Sequence, residues 1–177
     1  MKAMTLALVV LSVVMLLGVT ARAQDVTPPE IVSAISNPGY LWPPNHKMIE
    51  VKINAVVTDD TDLAPTFSII SVECDEDESA ADPDEEVTGP DWAIIDGNTV
   101  DLRAERLGSG SGRTYTITIE ASDSTGNTVT EEVTVLVPHD QGDMREYRHE
   151  VKAQEKLFKQ QQKAARKEEK ERAKSGL

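Results

Sequence analysis

The chain of 177 residues carries 31 acidic against 18 basic side chains, a net charge of −13, and a single cysteine, Cys74. That length holds one ordinary domain with flanking segments. The acidic balance repels nucleic-acid phosphate and sets aside DNA binding by the main domain, and one cysteine excludes an intrachain disulfide.

Lys2, the apolar run from Met4 to Val19 and the sequence Ala21-Arg22-Ala23 form the charged start, apolar core and small-x-small site of a secretory signal peptide. Residues 1–23 are therefore expected to be removed after Ala23, leaving a secreted or periplasmic protein. The run falls short of the roughly 20 residues that span a bilayer, and no second apolar span follows. No transmembrane segment is expected in the mature chain; an uncleaved anchor is the alternative. Charge then divides unevenly. Gln24 to Gly142 holds 24 acidic and 5 basic residues, and the tail from Asp143 to Leu177 holds 7 and 11.

Pro28-Pro29 stiffens the entry to the main segment and forbids helix there. Seven apolar runs follow, separated by turn chemistry. The first is Ile31–Ser36. Lys47–Val57 alternates most regularly, with Ile49, Val51, Ile53, Ala55 and Val57 on the inward face. Thr66–Cys74 is β-branched but leaves its inward face open, and Cys74 reads there as a small apolar residue. Asp91–Ile95 is short and ends at Asp96-Gly97. Thr99–Glu105, Arg113–Ala121 and Thr128–Val137 complete the set, and Glu131 falls on an inward position, at the rim or at a bulge. This pattern predicts an all-β, seven-stranded immunoglobulin-like β-sandwich over residues 24–142, with Tyr115 in the tyrosine-corner position.

The tail, residues 143–177, is rich in helix formers. Tyr147, Val151 and Phe158 share a stripe that Gln154 and Gln161 interrupt, which is too little for a coiled coil. A charged helix or a disordered tail is expected, free to contact an acidic partner or an anionic surface.

The chain also contains Thr27-Pro28-Pro29, Leu41-Trp42-Pro43-Pro44-Asn45-His46-Lys47 and Val57-Thr58-Asp59-Asp60. Asp91-Trp92, Leu102-Arg103-Ala104-Glu105-Arg106, Arg113-Thr114-Tyr115-Thr116-Ile117, Ser122-Asp123-Ser124-Thr125-Gly126-Asn127 and Val137-Pro138-His139-Asp140 follow. In that order these segments resemble the immunoglobulin-like modules, of HYR and PKD-like type, of bacterial secreted and surface proteins. The resemblance covers about residues 25–141. It implies a spacer, adhesion or carbohydrate-proximal module rather than an enzyme. Such modules usually sit in large multidomain chains, and the loop after Cys74 is more acidic here than the family leads one to expect.

In such a sandwich the loop between strands two and three, the loop between strands six and seven and the chain entry meet at one pole. They carry Asp59, Asp60 and Asp62, then Asp123 and Asn127, then Asp25, an oxygen-rich set suited to calcium. Turn capping by the same residues is the competing reading. Asp75, Asp77, Ser79 and Glu86 resemble an EF-hand loop in spacing, but Ala80 stands where the turn needs glycine and no helices flank it. His46 and His139 are expected at the opposite pole with Asp140, as a transition-metal site or as hydrogen-bonded structural residues. Gly108-Ser109-Gly110-Ser111-Gly112 has Gly110 where a nucleophile elbow needs serine. Trp42 and Trp92 are the aromatic candidates for partner binding, against packing at the core rim.

The expectation is an extracytoplasmic binding or structural module, calcium-stabilised and without catalytic activity, whose partner is a protein or carbohydrate at the cell envelope. The alternatives are a small secreted metal-dependent hydrolase using His46, His139 and Asp140, and an envelope structural protein associating through its tail.

Overall fold

Residues 24–76 and 90–175 are described by the computed structural model. The expected signal segment lies outside them, as do Asp77, Ser79, Ala80 and Glu86 of the acidic loop. The strands are β1 (Glu30–Asn37), β2 (Met48–Thr58), β3 (Thr66–Cys74), β4 (Trp92–Ile94), β5 (Thr99–Arg103), β6 (Gly112–Ser122) and β7 (Thr128–Pro138), followed by helix α1 (Gln141–Ser175). One antiparallel sheet has the order β1-β2-β5-β4 and the other β3-β6-β7.

Alternation builds the core. Val51 and Ile53 of β2, Val100 and Leu102 of β5, Tyr115, Ile117 and Ile119 of β6, and Val133, Val135 and Val137 of β7 belong to one buried cluster that joins the facing sheets. Burying such side chains is worth about 1.5–3 kcal/mol each. The ambiguous face of β3 has a definite cause. A register shift between Ile69 and Ser71 makes Ile70 an extra residue, so the inward set runs Phe67, Ile69, then Val72 and Cys74. A bulge reverses the phase of alternation. Glu131 sits opposite Ile119 in unbroken register and is exposed, at the rim rather than at a bulge.

Sheet edges expose unpaired backbone groups that invite association, and here one edge of each sheet, β7 and β1, has a cover. Leu41 donates its backbone N–H to the Leu136 carbonyl at 2.7 Å, and Tyr40 bridges Leu136 in parallel. The chain leaving β1 thus crosses to the outer edge of β7. The β1 edge is covered by α1, so the tail is an ordered helix docked on its own domain. The Gln161 amide donates to the Val32 carbonyl at 3.3 Å, and Val32 is the bulged residue of β1. A Cβ on Gly39 would lie 2.8 Å from a Val151 methyl, so only glycine permits this approach. Phe158 is the helix's one buried residue. Asp140 caps the helix by accepting the N–H groups of Gly142 and Asp143. At the far end of β2, Val56 is buried and Val57 half-buried, the reverse of the alternation reading. There α1 closes over the strand, and both residues line a cleft of about 310 Å³ with Ala165 and Arg172.

One end of the fold is held by ions. The Arg113 side chain is only 3% exposed and reaches Asp91 at 2.7 Å and Glu76 at 2.8 Å. Arg103 meets the other oxygen of Asp91 at 3.1 Å and donates to the His46 and Pro90 carbonyls. The Tyr115 hydroxyl donates to the Arg103 carbonyl at 2.9 Å, and the Trp92 ring stands edge-on to Tyr115. Burial works against the charge of Arg113, but the bonds to Tyr115 and Glu76 outweigh it and hold the guanidinium protonated. Burial likewise pushes the Tyr115 phenol well above its ordinary range.

Removing one member of a buried ion pair strands the other. Arg113→Leu is expected to cost about 3–5 kcal/mol and Tyr115→Phe about 1–3 kcal/mol, read as shifts in the midpoint of equilibrium urea unfolding.

Candidate functional site

At the opposite end, the chain entry, the β2–β3 loop and the β6–β7 loop come together as their aspartates suggested. Asp25, Asp59 and Asp60 each bring one carboxylate oxygen to within 4.8 Å of the others. The cause is local. Asp59 directly follows β2 and folds the next turn around itself, its Oδ1 accepting the N–H groups of Thr61 at 2.9 Å and Asp62 at 2.7 Å. Asp25 accepts the N–H of Thr27 and the hydroxyl of Thr61, which pins the entry strand to that turn.

The other members of the expected set do different work. Asp62 accepts the N–H of Ala64 through one oxygen and that of Ser124 through the other, stitching the two loops together. Asp123 takes the N–H groups of Thr125 and Asn127, the Thr125 hydroxyl and the Asn127 amide. Asn127 in turn donates to the Asp25 and Thr27 carbonyls. The six residues thus meet at one pole but split by role. Asp62, Asp123 and Asn127 close turns, while Asp25, Asp59 and Asp60 converge with their carboxylates.

Asp59 is the informative one. It is 7% exposed, and its Oδ2 is buried without a hydrogen-bond partner among the described residues. A buried carboxylate oxygen left unpaired is costly, and a cation is its natural complement. Three converging carboxylates offer hard oxygen donors, which suit calcium rather than a soft transition metal. Arg172, from the last turns of α1, donates to the Asp59 carbonyl at 2.6 Å. Neither Thr61 nor Arg172 stood out in the sequence; the threonine beside a turn aspartate was a legible signal, whereas the arginine, 113 residues away, was not.

The carboxyl groups carry the imprint of these bonds. The Thr61 hydroxyl, then the Thr27 N–H, hold Asp25 below the usual carboxylate range. Burial pushes Asp123 up, but the bonds from Asn127 and Thr125 prevail and its net displacement is downward.

The histidine arrangement differs from the expected one. His139 converges with Asp140 and Asp143. His46, its backbone in the left-handed region at φ 61°, pairs with Glu105 at 3.1 Å and belongs to neither of the ligand groups that converge among the described residues. Asp140 is also committed to the helix cap. Trp92 packs against the core and Trp42 is half-buried, lining a cleft of about 380 Å³ with Pro43, Ile49, Val151 and Glu155. Cys74 is a free, half-buried thiol packed against the core, its pKa raised by burial. Comparison with the models of known protein families and with curated proteins found no match.

Asp25 and Asp123 have folded pKa values below their unfolded ones, so the stability they contribute is present above the unfolded value of about 3.9. It is lost as pH falls through the folded values. Urea midpoints should therefore drop below about pH 4, and Asp123→Asn should flatten that dependence while lowering stability at neutral pH.

Proposed function

We propose that the chain from Gln24 onward is an extracytoplasmic immunoglobulin-like binding or structural module, calcium-stabilised at its aspartate pole and without catalytic activity. The strand order supports the family of fold. Four strands in the order one-two-five-four and three in the order three-six-seven match the constant-type arrangement of such domains. The Tyr115 hydroxyl bonded back to the Arg103 carbonyl matches their tyrosine corner. The N-terminal signal pattern supports export. A structural rather than catalytic role is favoured by how the charged groups are spent. Arg103, Arg113, Asp91, Asp62 and Asp123 direct their polar atoms into bonds that hold the fold.

The observation that carries the calcium reading is the Oδ2 of Asp59, buried and without a partner among the described residues, beside Asp25 and Asp60. The three carboxylates would hold the ion, with carbonyls and water supplying the rest of the six to eight oxygens it takes. An ion there would tie the entry strand to the β2–β3 turn. The module's partner is a protein or carbohydrate at the cell envelope, and the half-buried Trp42 in its cleft offers the aromatic surface for such a contact. The outward side of α1 is left to an anionic partner.

Thermal unfolding with calcium and with chelator tests the ion. A ligand bound only by the folded state stabilises it by about 2.7 kcal/mol at a hundred times Kd, about 5–10 °C in Tm for a domain of this size. Asp59→Asn should abolish the increment. Asp123→Ala should lower Tm yet keep it, since Asp123 closes a turn. A Tm indifferent to calcium would refute the site.

A further inference from the structure

Helix α1 sorts its charges by face, and the docked face shows how. With 3.6 residues per turn, Tyr147, Val151, Phe158, Gln161, Ala165 and Arg172 fall on the side turned to the β domain. The contacts of Val151, Gln161 and Arg172 fix that orientation. Of the eleven Lys and Arg residues in the helix, Arg172 alone lies on this side, and Arg166, at the edge of the outward band, also borders the cleft against β2. The other ten are Arg145, Arg148, Lys152, Lys156, Lys159, Lys163, Arg166, Lys167, Lys170 and Lys174. They fall on a single outward band covering roughly a third of the circumference. Between Arg145 and Lys174 the only other residue on that band is His149; no acidic or apolar side chain interrupts it. All ten are exposed. Apart from Lys174, which bonds Glu171 at 3.3 Å, none forms an ion pair among the described residues. The acidic residues stay off the band: Glu146, Glu150, Glu168 and Glu171 lie to one flank, Glu155 and Glu169 to the other. A surface helix that needed only solubility would interleave its charges as i,i+4 pairs. Here the cations form a straight rail about 45 Å long, at about 1.5 Å per residue.

We infer that this rail is a docking surface for an anionic lipid bilayer, which rests on the reading of α1 as the face left to an anionic partner and names that partner. Three features select a lipid surface. The rail is convex and straight, so it meets a plane along its whole length, whereas gripping a single polyanionic strand calls for a groove with cations on both walls. It has no Trp, Tyr or Phe on which successive bases or sugars would stack, a single imidazole at His149 being its only ring, and no apolar side chain that would insert, so contact is electrostatic and peripheral. The acidic β domain lies on the docked side of the helix, away from the rail, so the molecule meets an anionic surface with its cations foremost. The helix therefore has two jobs on two faces. Its inner face covers the β1 edge and its outer face holds the module flat against the membrane.

The test uses the chain from Gln24 onward, which contains every element described and omits an apolar leader that would enter lipid by itself. Sedimentation with vesicles of equal parts phosphatidylglycerol and phosphatidylcholine is expected to carry the protein down at low salt, with release as salt rises. Vesicles of phosphatidylcholine alone should leave it in solution. Each cation removed weakens binding about fivefold, so replacing Lys152, Lys156, Lys159 and Lys163 together by Gln should abolish it. Gln keeps helix propensity, and circular dichroism verifies the helix. Lys52→Gln, an exposed cation on β2 outside the rail, should leave binding unchanged. Binding to soluble polyphosphate without binding to the anionic vesicles would overturn the bilayer and keep an anionic partner. Rail-dependent self-association in lipid-free sedimentation, again without vesicle binding, would overturn it in favour of a second copy's acidic domain. Failure to bind vesicle, polyphosphate or itself would overturn both the inference and the reading beneath it.

Discussion

The ion pair between Arg113 and Asp91 is the interaction on which the arrangement of the two sheets depends. Arg113 belongs to β6 in one sheet, and Asp91 stands directly before β4 in the other. Arg103 on β5 takes the second oxygen of the same carboxylate, and Glu76, just past the end of β3, takes the remaining side of Arg113. Apolar burial drives the sheets together but is indifferent to how they are offset. Charged groups nine-tenths buried are not, because any slip leaves a desolvated charge without its partner. The network therefore fixes the register of one sheet over the other. The same side chains position Tyr115, whose ring fills the core and whose hydroxyl reaches the Arg103 carbonyl.

With that end fixed by ions, the other is built of short turns closed by aspartate. The two ends handle negative charge in opposite ways. Asp91 and Glu76 are matched to guanidinium groups. Among the described residues, Asp59 has only backbone donors and one threonine hydroxyl, all on one oxygen, and its other oxygen is buried and unmatched. This imbalance, rather than the number of aspartates, distinguishes the pole from an ordinary acidic surface. Arg172 bonds the backbone carbonyl of Asp59 and leaves the unmatched oxygen as it is. The helix therefore reaches the pole without neutralising the group that needs a cation.

The edges of the sheets link the fold to its surface chemistry. Covering β7 with the 39–41 segment and β1 with α1 removes backbone groups that would otherwise recruit other strands. It also commits one face of the helix to the domain. The polar Gln161, which breaks the apolar stripe in sequence, bonds the carbonyl that the β1 bulge leaves over. Docking of this kind, with a single buried aromatic and a few polar anchors, orients a helix without requiring a broad apolar face. That orientation is what turns a basic composition into a directed surface.

The strands were legible in the sequence because alternation is a local property: each inward residue is two positions from the next, whatever the chain meets later. The helix propensity of the tail was legible for the same reason, since it resides in single residues, but it left helix and disorder both open until docking on the domain decided for the helix. So was the meeting of Asp25, Asp59, Asp60, Asp62, Asp123 and Asn127 at one pole, because the order of strands dictates which loops are neighbours. The bulges at Val32 and Ile70 were not, since an extra residue is recognised only against the strand opposite. Nor was the division of the aspartates into turn closers and a converging trio, which depends on which oxygen each backbone N–H reaches. The pairing of Arg113 with Glu76, 37 residues apart, and the docking of the tail depended on tertiary structure alone. Both couple groups distant in the chain, and only the packed fold sets the distances that decide whether buried charges and polar groups are satisfied.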